Sequence, residues 1–443
     1  MDTINQIINV LVFQVLTQPP VFMGLIALVG YVVQKKTIRE VLEGTLRTII
    51  GMYAFFAGAG LIFNMISPVN EIMKPSISAI GTYALGEPAF AIAMTYVAQS
   101  AVLSFVVGWF IHLLLVKVFT KTFPAIFLTL HHMLFDAALV NLFLVYVMKM
   151  SGASLIITAA ILCALYWSIS PAIVYKFSKK FNGDKFTLAH KEFVGVTIAS
   201  LIAPLVGNPK TEDADNLKLP GWLSMFADVN LSLAVTMPIF FIIIGIIAIA
   251  SGKPEAIAAL NNVVGSQNWV VWLLLAGIQL AAGVAVLLFG LRMFVGALLP
   301  AFKGIQEKFI PGAIPALDCP VFYPLSPMGT ALGFIGSSIA GILSAILLVV
   351  IKAPLIVYPT LVIAFFDGGT IGVFGNKLGG WKGALVGSFI GGLLFHLGVI
   401  LINPFTGPLA TSGFQFSGSD PAILWSSVFT VFRAVGRLFG LGV

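Results

Sequence analysis

The sequence predicts an all-α polytopic membrane protein, and three observations carry that prediction. Hydrophobic residues make up 59% of the 443 and charged residues only 9%, against roughly 25% charged in a soluble domain. Apolar runs at 21–33, 49–66, 89–116, 155–174, 231–250 and 270–288 reach or approach the roughly 20 residues that cross about 30 Å of hydrocarbon. The basic residues sit in short loops between these runs rather than along one polar face, the pattern by which a chain is oriented in a bilayer. The net charge of +7 is therefore assigned to membrane orientation, and neither nucleic acid nor a soluble domain is expected. Lipid cannot satisfy backbone groups, so helices rather than open strands are expected to span it.

The opening residues 1–20 contain Asp2 and no Lys or Arg, which does not fit a cleaved secretory signal. Lys35, Lys36 and Arg39 follow the first span, Lys117 and Lys121 the third, and Lys176, Lys179, Lys180, Lys185 and Lys191 the fifth. The loops between carry single lysines, Lys74 and Lys149. By the positive-inside rule the amino terminus lies outside and the basic loops in the cytoplasm. The longest polar stretch, 208–220, reads as a cytoplasmic bridge, after which Lys303, Lys308, Lys377 and Lys382 fall inside and Lys352 outside. Arg433 and Arg437 place the carboxyl terminus in the cytoplasm, for about eleven spans in all.

The expected organisation is a first membrane repeat at 1–207, a bridge at 208–222 and a second repeat at 223–443. Two halves of opposite orientation are what an inverted-repeat transporter requires. A short echo agrees, Leu46-Arg47-Thr48-Ile49-Ile50-Gly51 with Leu291-Arg292-Met293-Phe294-Val295-Gly296. Three segments are too broken for simple spans: 186–206 with His190, Lys191 and Glu192; 310–327 with five prolines around Asp318; and 359–380 with Asp367-Gly368-Gly369. Non-helical backbone at membrane depth survives where it is buried in protein or lines a cavity, so re-entrant hairpins and broken helices are expected there.

A carboxylate at a helix centre costs about 2.5–3.5 kcal/mol on insertion scales, so Asp136, Asp318 and Asp367 each call for a partner or a purpose. His131 and His132 precede Phe135 and Asp136 at i,i+4 spacing, which puts each pair on one helix face. The group either contacts a hydroxylated substrate or satisfies itself internally. His112, near a span end, reads as interfacial, and His396 as an interhelical bond. Asp318, between Pro315 and Pro320, is the strongest candidate. A carboxylate withdrawn from water favours its protonated form, which suits a proton acceptor for a sugar hydroxyl during phosphoryl transfer; a cap on a half-helix is the alternative. Asp367 before two glycines is also turn chemistry. Tyr83 offers a ring and hydroxyl to a sugar, or an interfacial anchor. Cys163 and Cys319 lack C-x-x-C spacing, so packing roles are expected, with no disulfide, metal or other cofactor. No P-loop, H-E-x-x-H or G-x-S-x-G occurs, which argues against a self-contained enzyme.

Several stretches resemble the ascorbate-type membrane subunit, enzyme IIC, of the bacterial phosphoenolpyruvate-dependent phosphotransferase system. They are Gly44-Thr45-Leu46-Arg47-Thr48-Ile49-Ile50-Gly51, Leu217-Lys218-Leu219-Pro220-Gly221-Trp222-Leu223, Arg292-Met293-Phe294-Val295, Ile310-Pro311-Gly312-Ala313 with Asp318-Cys319, and Thr370-Ile371-Gly372-Val373-Phe374 with Gly379-Gly380-Trp381. The resemblance implies two inverted repeats, a substrate-holding core beside a dimer-forming scaffold, and a location in the bacterial cell membrane. It also implies soluble enzymes IIA and IIB as partners, with a phosphocysteine on IIB as phosphoryl donor. Substrate contacts carried over by position fall on Tyr83, His131, His190 and Asp318. Where the family commonly has glutamines after its histidines, this chain has Phe135 with Asp136, and Lys191 with Glu192, which alters the hydroxyl-matching groups. L-Ascorbate or a related sugar or polyol is the substrate implied. The alternative from another class is a proton- or sodium-coupled secondary transporter using Asp136, Asp318 or Asp367.

Overall fold

The computed structural model describes residues 18–77, 79–217 and 229–438. The amino terminus, the carboxyl-terminal residue and positions 218–222 of the expected bridge lie outside the described residues. Long apolar helices dominate: α1 (Pro19–Val33), α2 (Ile38–Ile77), α3 (Gly86–Val118), α4 (Leu130–Leu142), α5 (Gly152–Asn182), α6 (Phe193–Val206), α7 (Val229–Ala250), α8 (Pro254–Val264), α9 (Trp269–Phe309), α10 (Pro327–Val350), α11 (Gly369–Leu397) and α12 (Ser426–Leu438). Among the described residues, 8 helices are long and apolar enough to cross a membrane, beside the shorter apolar helices Met23–Val33 and Phe193–Val206. The sequence count of about eleven differs because length alone does not score half-length helices as crossings.

By packing, the helices sort into two groups. In the first, α2 and α9 run antiparallel at the centre, with α1, α7 and α8 against them. Glycines permit the close approach: a Cβ on Gly58 would lie 2.3 Å from the Leu287 backbone nitrogen, and one on Gly290 2.2 Å from that of Phe55. In the second group, α3 packs on α4 and α5, and α11 on α6 and α10.

Strands within this helical frame correct the expectation of helices alone. β1 (Ile80–Ala84), β2 (Ala125–Phe127), β3 (Thr187–Leu188), β4 (Ile314–Leu317), β5 (Leu355–Val357) and β6 (Phe414–Gln415) form two three-stranded sheets. Every pairing is parallel, β1 lying between β5 and β6, and β4 between β2 and β3. Each half of the chain thus supplies the central strand of the other half's pair, and the halves interlock. Burial explains the exception to the helix rule: β1, β2, β5 and β6 are almost wholly buried, and their backbone groups bond one another instead of lipid. The 46–51 and 291–296 echo is not the register of this repetition. Equating β1 with β4 displaces it by about three helical turns, and Gly51 instead packs against Phe294 across the α2–α9 pair.

The interruption expected at 359–380 is present as the first arm of a helical hairpin: the π-helical turn Ala364–Gly368 runs into α11, which kinks sharply at Gly380 with φ 68 and folds back, so that a Cβ on Gly375 would lie 2.5 Å from the Gly383 carbonyl oxygen and Ser388 Oγ donates to the Gly368 carbonyl at 3.2 Å. The described part of the bridge, 208–217, is docked on that kink. The Trp381 N–H donates to the Glu212 carbonyl at 2.8 Å, and Lys382 Nζ bonds the Glu212 carboxylate. Asn376 donates to Asp213 at 2.7 Å and accepts from the Ala214 N–H at 2.8 Å. Asp215 accepts from Ser326 Oγ and the Met328 N–H at the start of α10, and pairs with Lys377 at 3.2 Å.

The Lys382 ammonium, followed by the Asn208 backbone N–H, holds the Glu212 carboxyl below its usual value of 4.5. A lowered folded-state value means this contact is complete above the unfolded value and lost as pH falls through the folded one. Hydrogen-exchange protection of 208–217, corrected for intrinsic rates, should therefore persist from neutral pH down to about 4.5 and fall below it. Lys382→Met should lower protection already at neutral pH. Protection indifferent to both changes would mean that the bridge is not held this way.

Candidate functional site

Parallel strands bring the polar residues together because all three strands of one sheet end at the same edge. β2 leads through Leu128, whose N–H bonds Ala316 at 3.0 Å, to His131 and His132 in the first turn of α4. β3 leads through Ala189, whose N–H bonds Leu317 at 2.8 Å, to His190, Lys191 and Glu192. β4, between them, ends at Asp318. Residues distant in the chain are thus fixed by main-chain bonds, a more rigid support than loops alone provide.

Three imidazoles converge on Asp318. His131 Nε2 lies 3.5 Å from Oδ2, and His132 Nε2 and His190 Nε2 each lie 3.8 Å from Oδ1. These spacings permit ionic attraction but exceed good hydrogen bonds, so the polar edges share space instead of closing on one another. The His131 and His132 rings are 4.2 Å apart and those of His132 and His190 4.0 Å apart. The Nδ1 atoms of all three are buried without a hydrogen-bond partner. Asp318 also accepts from the Cys319 N–H at 2.8 Å, capping the short turn Cys319–Val321. The capping reading of Asp318 thus fits one oxygen, while the carboxylate as a whole faces the histidines. Its side chain keeps 35% exposure.

The other residues divide. Tyr83 is buried in β1, its hydroxyl without a hydrogen-bond partner, which does not fit an interfacial anchor. Phe135 packs 4.9 Å from Phe90 and edge-on to His131 and His132 at 5.7 and 5.6 Å. Lys191 places its ammonium 5.2 Å over the Phe135 ring, a cation–π contact, and against Gly86, where a Cβ would come within 2.3 Å of Nζ. Phe135 and Lys191, which follow His131 and His190 in the chain, thus touch each other. Lys191 is the one buried Lys or Arg among the described residues, which removes it from the basic loop expected after the fifth span. Asp136 is set apart: its Oδ2 accepts from Trp167 Nε1 at 3.0 Å, and the face it shares with His132 yields no bond between them.

His112 is a buried latch instead of an interfacial residue, its Nδ1 2.8 Å from Ser168 Oγ and its Nε2 accepting from the Phe127 N–H at 3.0 Å. His396 Nδ1 lies 2.8 Å from the Gly392 carbonyl, and its Nε2 accepts from the Thr360 N–H at 3.4 Å. Sequence reasoning passed over Glu87, in the first turn of α3 and almost fully buried, and Asp420. The Asp420 carboxylate accepts from the Phe193 and Val194 N–H groups at 3.0 and 2.9 Å and from the Tyr166 hydroxyl at 2.6 Å, closing the N-terminus of α6. Asp420 is the only acidic residue after Asp367, and the intramembrane-charge rule applied to Asp136 would have flagged it.

The described residues thus place a buried cluster of imidazoles and carboxylates on interrupted segments of a multi-pass helical membrane protein. The chain is a member of the EIIC-GAT family, the PTS system sugar-specific permease component, whose sequence model matches residues 14–420. Among curated proteins it is similar to the "Ascorbate-specific PTS system EIIC component" of Mycoplasma pneumoniae (strain ATCC 29342 / M129 / Subtype 1), with 27% identity over 439 residues. The match covers 88% of this chain but 65% of that relative's length.

If these histidines contact a sugar, His131→Ala and His190→Ala each weaken its binding by about 1–3 kcal/mol, because buried partners are left unmatched. Tyr175→Phe removes a hydroxyl that bonds Asp184 at the exposed end of α5 and should leave binding unchanged. Isothermal titration or equilibrium binding on purified protein decides this, and equal losses in all three variants would indicate folding damage instead of site chemistry.

Proposed function

We propose that this chain is the membrane permease of a phosphotransferase system that takes up L-ascorbate or a related sugar or polyol, with the substrate held between His131, His190 and Asp318. The observation that carries this reading is the convergence of three imidazoles on one carboxylate, with 3.5–3.8 Å spacings that leave donors and acceptors free for hydroxyls. Tyr83, Phe135 and Lys191 complete the pocket wall, while Asp136 supports it through Trp167. The permease family and the name of the Mycoplasma relative support the substrate class. The family match lends nothing to an ion-coupled secondary carrier.

In this reading the sugar is phosphorylated as it reaches the cytoplasmic side. A sugar hydroxyl attacks the phosphorus of a phosphocysteine on a separate enzyme IIB, the oxygen–phosphorus bond forms as the sulfur–phosphorus bond breaks, and Asp318 takes the hydroxyl proton before releasing it to water. Enzyme IIA recharges IIB. The amino terminus faces outside, the carboxyl terminus faces the cytoplasm, and the division at 208–222 separates the repeats. The group of α1, α2, α7, α8 and α9, with exposed apolar residues such as Leu46, Ile50, Ile239 and Ile243, forms the scaffold of a homodimer in the bacterial cell membrane.

Asp318→Asn separates binding from turnover. The amide keeps the shape and part of the hydrogen bonding, whereas loss of a general base lowers rate about 10²–10⁴-fold. Sugar binding by the purified variant should survive, while phosphorylation in vesicles supplied with the soluble phosphotransferase proteins collapses. Near-normal phosphorylation by the variant would remove Asp318 from the proton-accepting role.

A further inference from the structure

Behind the sugar-facing edge of His190 lies a second set of groups that the proposed transport chemistry does not use. His190 turns Nε2 toward Asp318 and Nδ1 the other way, where Glu192 Oε1 lies at 3.7 Å and Asp367 Oδ1 also at 3.7 Å. Cys319 Sγ is 3.3 Å from the same Glu192 oxygen. One ligand-type atom each from His190, Glu192 and Cys319 lies within 4.8 Å of the other two, and all three residues are buried. His190 Nδ1, Glu192 Oε2 and both Asp367 oxygens are buried with no hydrogen-bond partner. Glu192 and Asp367 have side chains with 0% exposure.

From this geometry we infer a binding site for a divalent transition-metal ion of the zinc type, held by His190 Nδ1, Glu192 Oε1 and Cys319 Sγ, with Asp367 facing the fourth position. Tetrahedral bonds of about 2.0–2.3 Å to nitrogen, oxygen and sulfur place neighbouring ligand atoms roughly 3.3–3.6 Å apart, close to the 3.3 and 3.7 Å found here. A mixed imidazole, carboxylate and thiolate set selects a borderline-soft ion over magnesium or calcium, which take oxygen ligands. Charge agrees as well. Glu192 and Asp367 are both buried, and Glu192 Oε2 and both Asp367 oxygens have no hydrogen-bond donor, so a divalent cation would satisfy oxygens that the protein leaves unmatched. Metal binding displaces the Cys319 thiol proton to solvent, so affinity rises with pH.

His190 then joins two sites, with Nδ1 on the ion and Nε2 toward the sugar. A metal-bound imidazole has its tautomer and ring orientation fixed by its ligand atom, so the ion would position His190 for the sugar. The second ligand-type triad, His131, His132 and Asp318, is not assigned to metal, because Asp318 is partly exposed and belongs to the sugar-facing surface.

Full-length protein purified in detergent and titrated with Co²⁺, a spectroscopic stand-in for Zn²⁺, tests this. The expected result is thiolate-to-cobalt charge-transfer absorption that saturates at a single equivalent, is bleached by Zn²⁺, disappears in Cys319→Ser and persists in His131→Ala. Glu192→Gln should weaken Co²⁺ binding by about 10-fold or more. X-ray absorption on the Zn²⁺-loaded unmutated chain needs no variant to fold, and should show one sulfur at about 2.3 Å among nitrogen and oxygen ligands. Absence of both the band and the sulfur scatterer overturns the site, as does a band that survives Cys319→Ser. Sugar binding measured in parallel keeps the two readings apart: metal bound without sugar binding defeats the transport reading alone, and sugar binding without metal defeats this inference alone.

Discussion

Backbone amides and carbonyls that leave a helix at membrane depth have no water to bond, and the rest of this structure follows from how that demand is met. The chain uses two parallel strand triplets, each with its central strand donated by the opposite half. An unpaired buried backbone group costs about as much as a lost hydrogen bond or more, so these pairings hold the interrupted segments together. They also align the strand ends, and His131, His190 and Asp318 leave the same edge of the same sheet. The convergence of these polar side chains follows from the parallel strand register that satisfies the main chain.

Exchange of central strands also ties the two halves of the chain together. Neither half folds its strands without the other, so the halves are not independent bodies. The packing instead divides helices by group, with α2 and α9 at the heart of one and α3, α4, α5, α6, α10 and α11 in the other. The docked stretch 208–217 is fastened to the second group through Asn376, Trp381 and Lys382.

Much of this was legible in the sequence, and what was not has a physical reason. Composition and span length indicated the membrane class, and proline and glycine placement located the interruptions at 186–206, 310–327 and 359–380. The strands were invisible because runs of two to five residues inside apolar segments carry no period distinct from a helix. Of the site residues, His131, His190 and Asp318 were reachable from the cost of intramembrane polar groups, whereas i,i+4 spacing alone misdirected Asp136, which shares a face with His132 but bonds Trp167. The contact of Lys191 with Phe135 and the grouping of His190, Glu192 and Cys319 join segments far apart in the chain, which no local pattern reports. His112 lies near a span end, yet its bonds to Ser168 and Phe127 make it structural.

The central claim is that the sheet edge carrying His131, His190 and Asp318 is where the sugar sits. A cryo-electron-microscopy or crystal structure of the full chain with bound L-ascorbate, or with the tightest ligand from a panel of sugars and polyols, tests it most directly. The account predicts a ligand whose hydroxyls lie within hydrogen-bond distance of His190 Nε2 and of an Asp318 carboxylate oxygen, with a ring edge or carbon face against Phe135. A ligand held elsewhere, with the three imidazoles still facing Asp318 and touching nothing else, would contradict it.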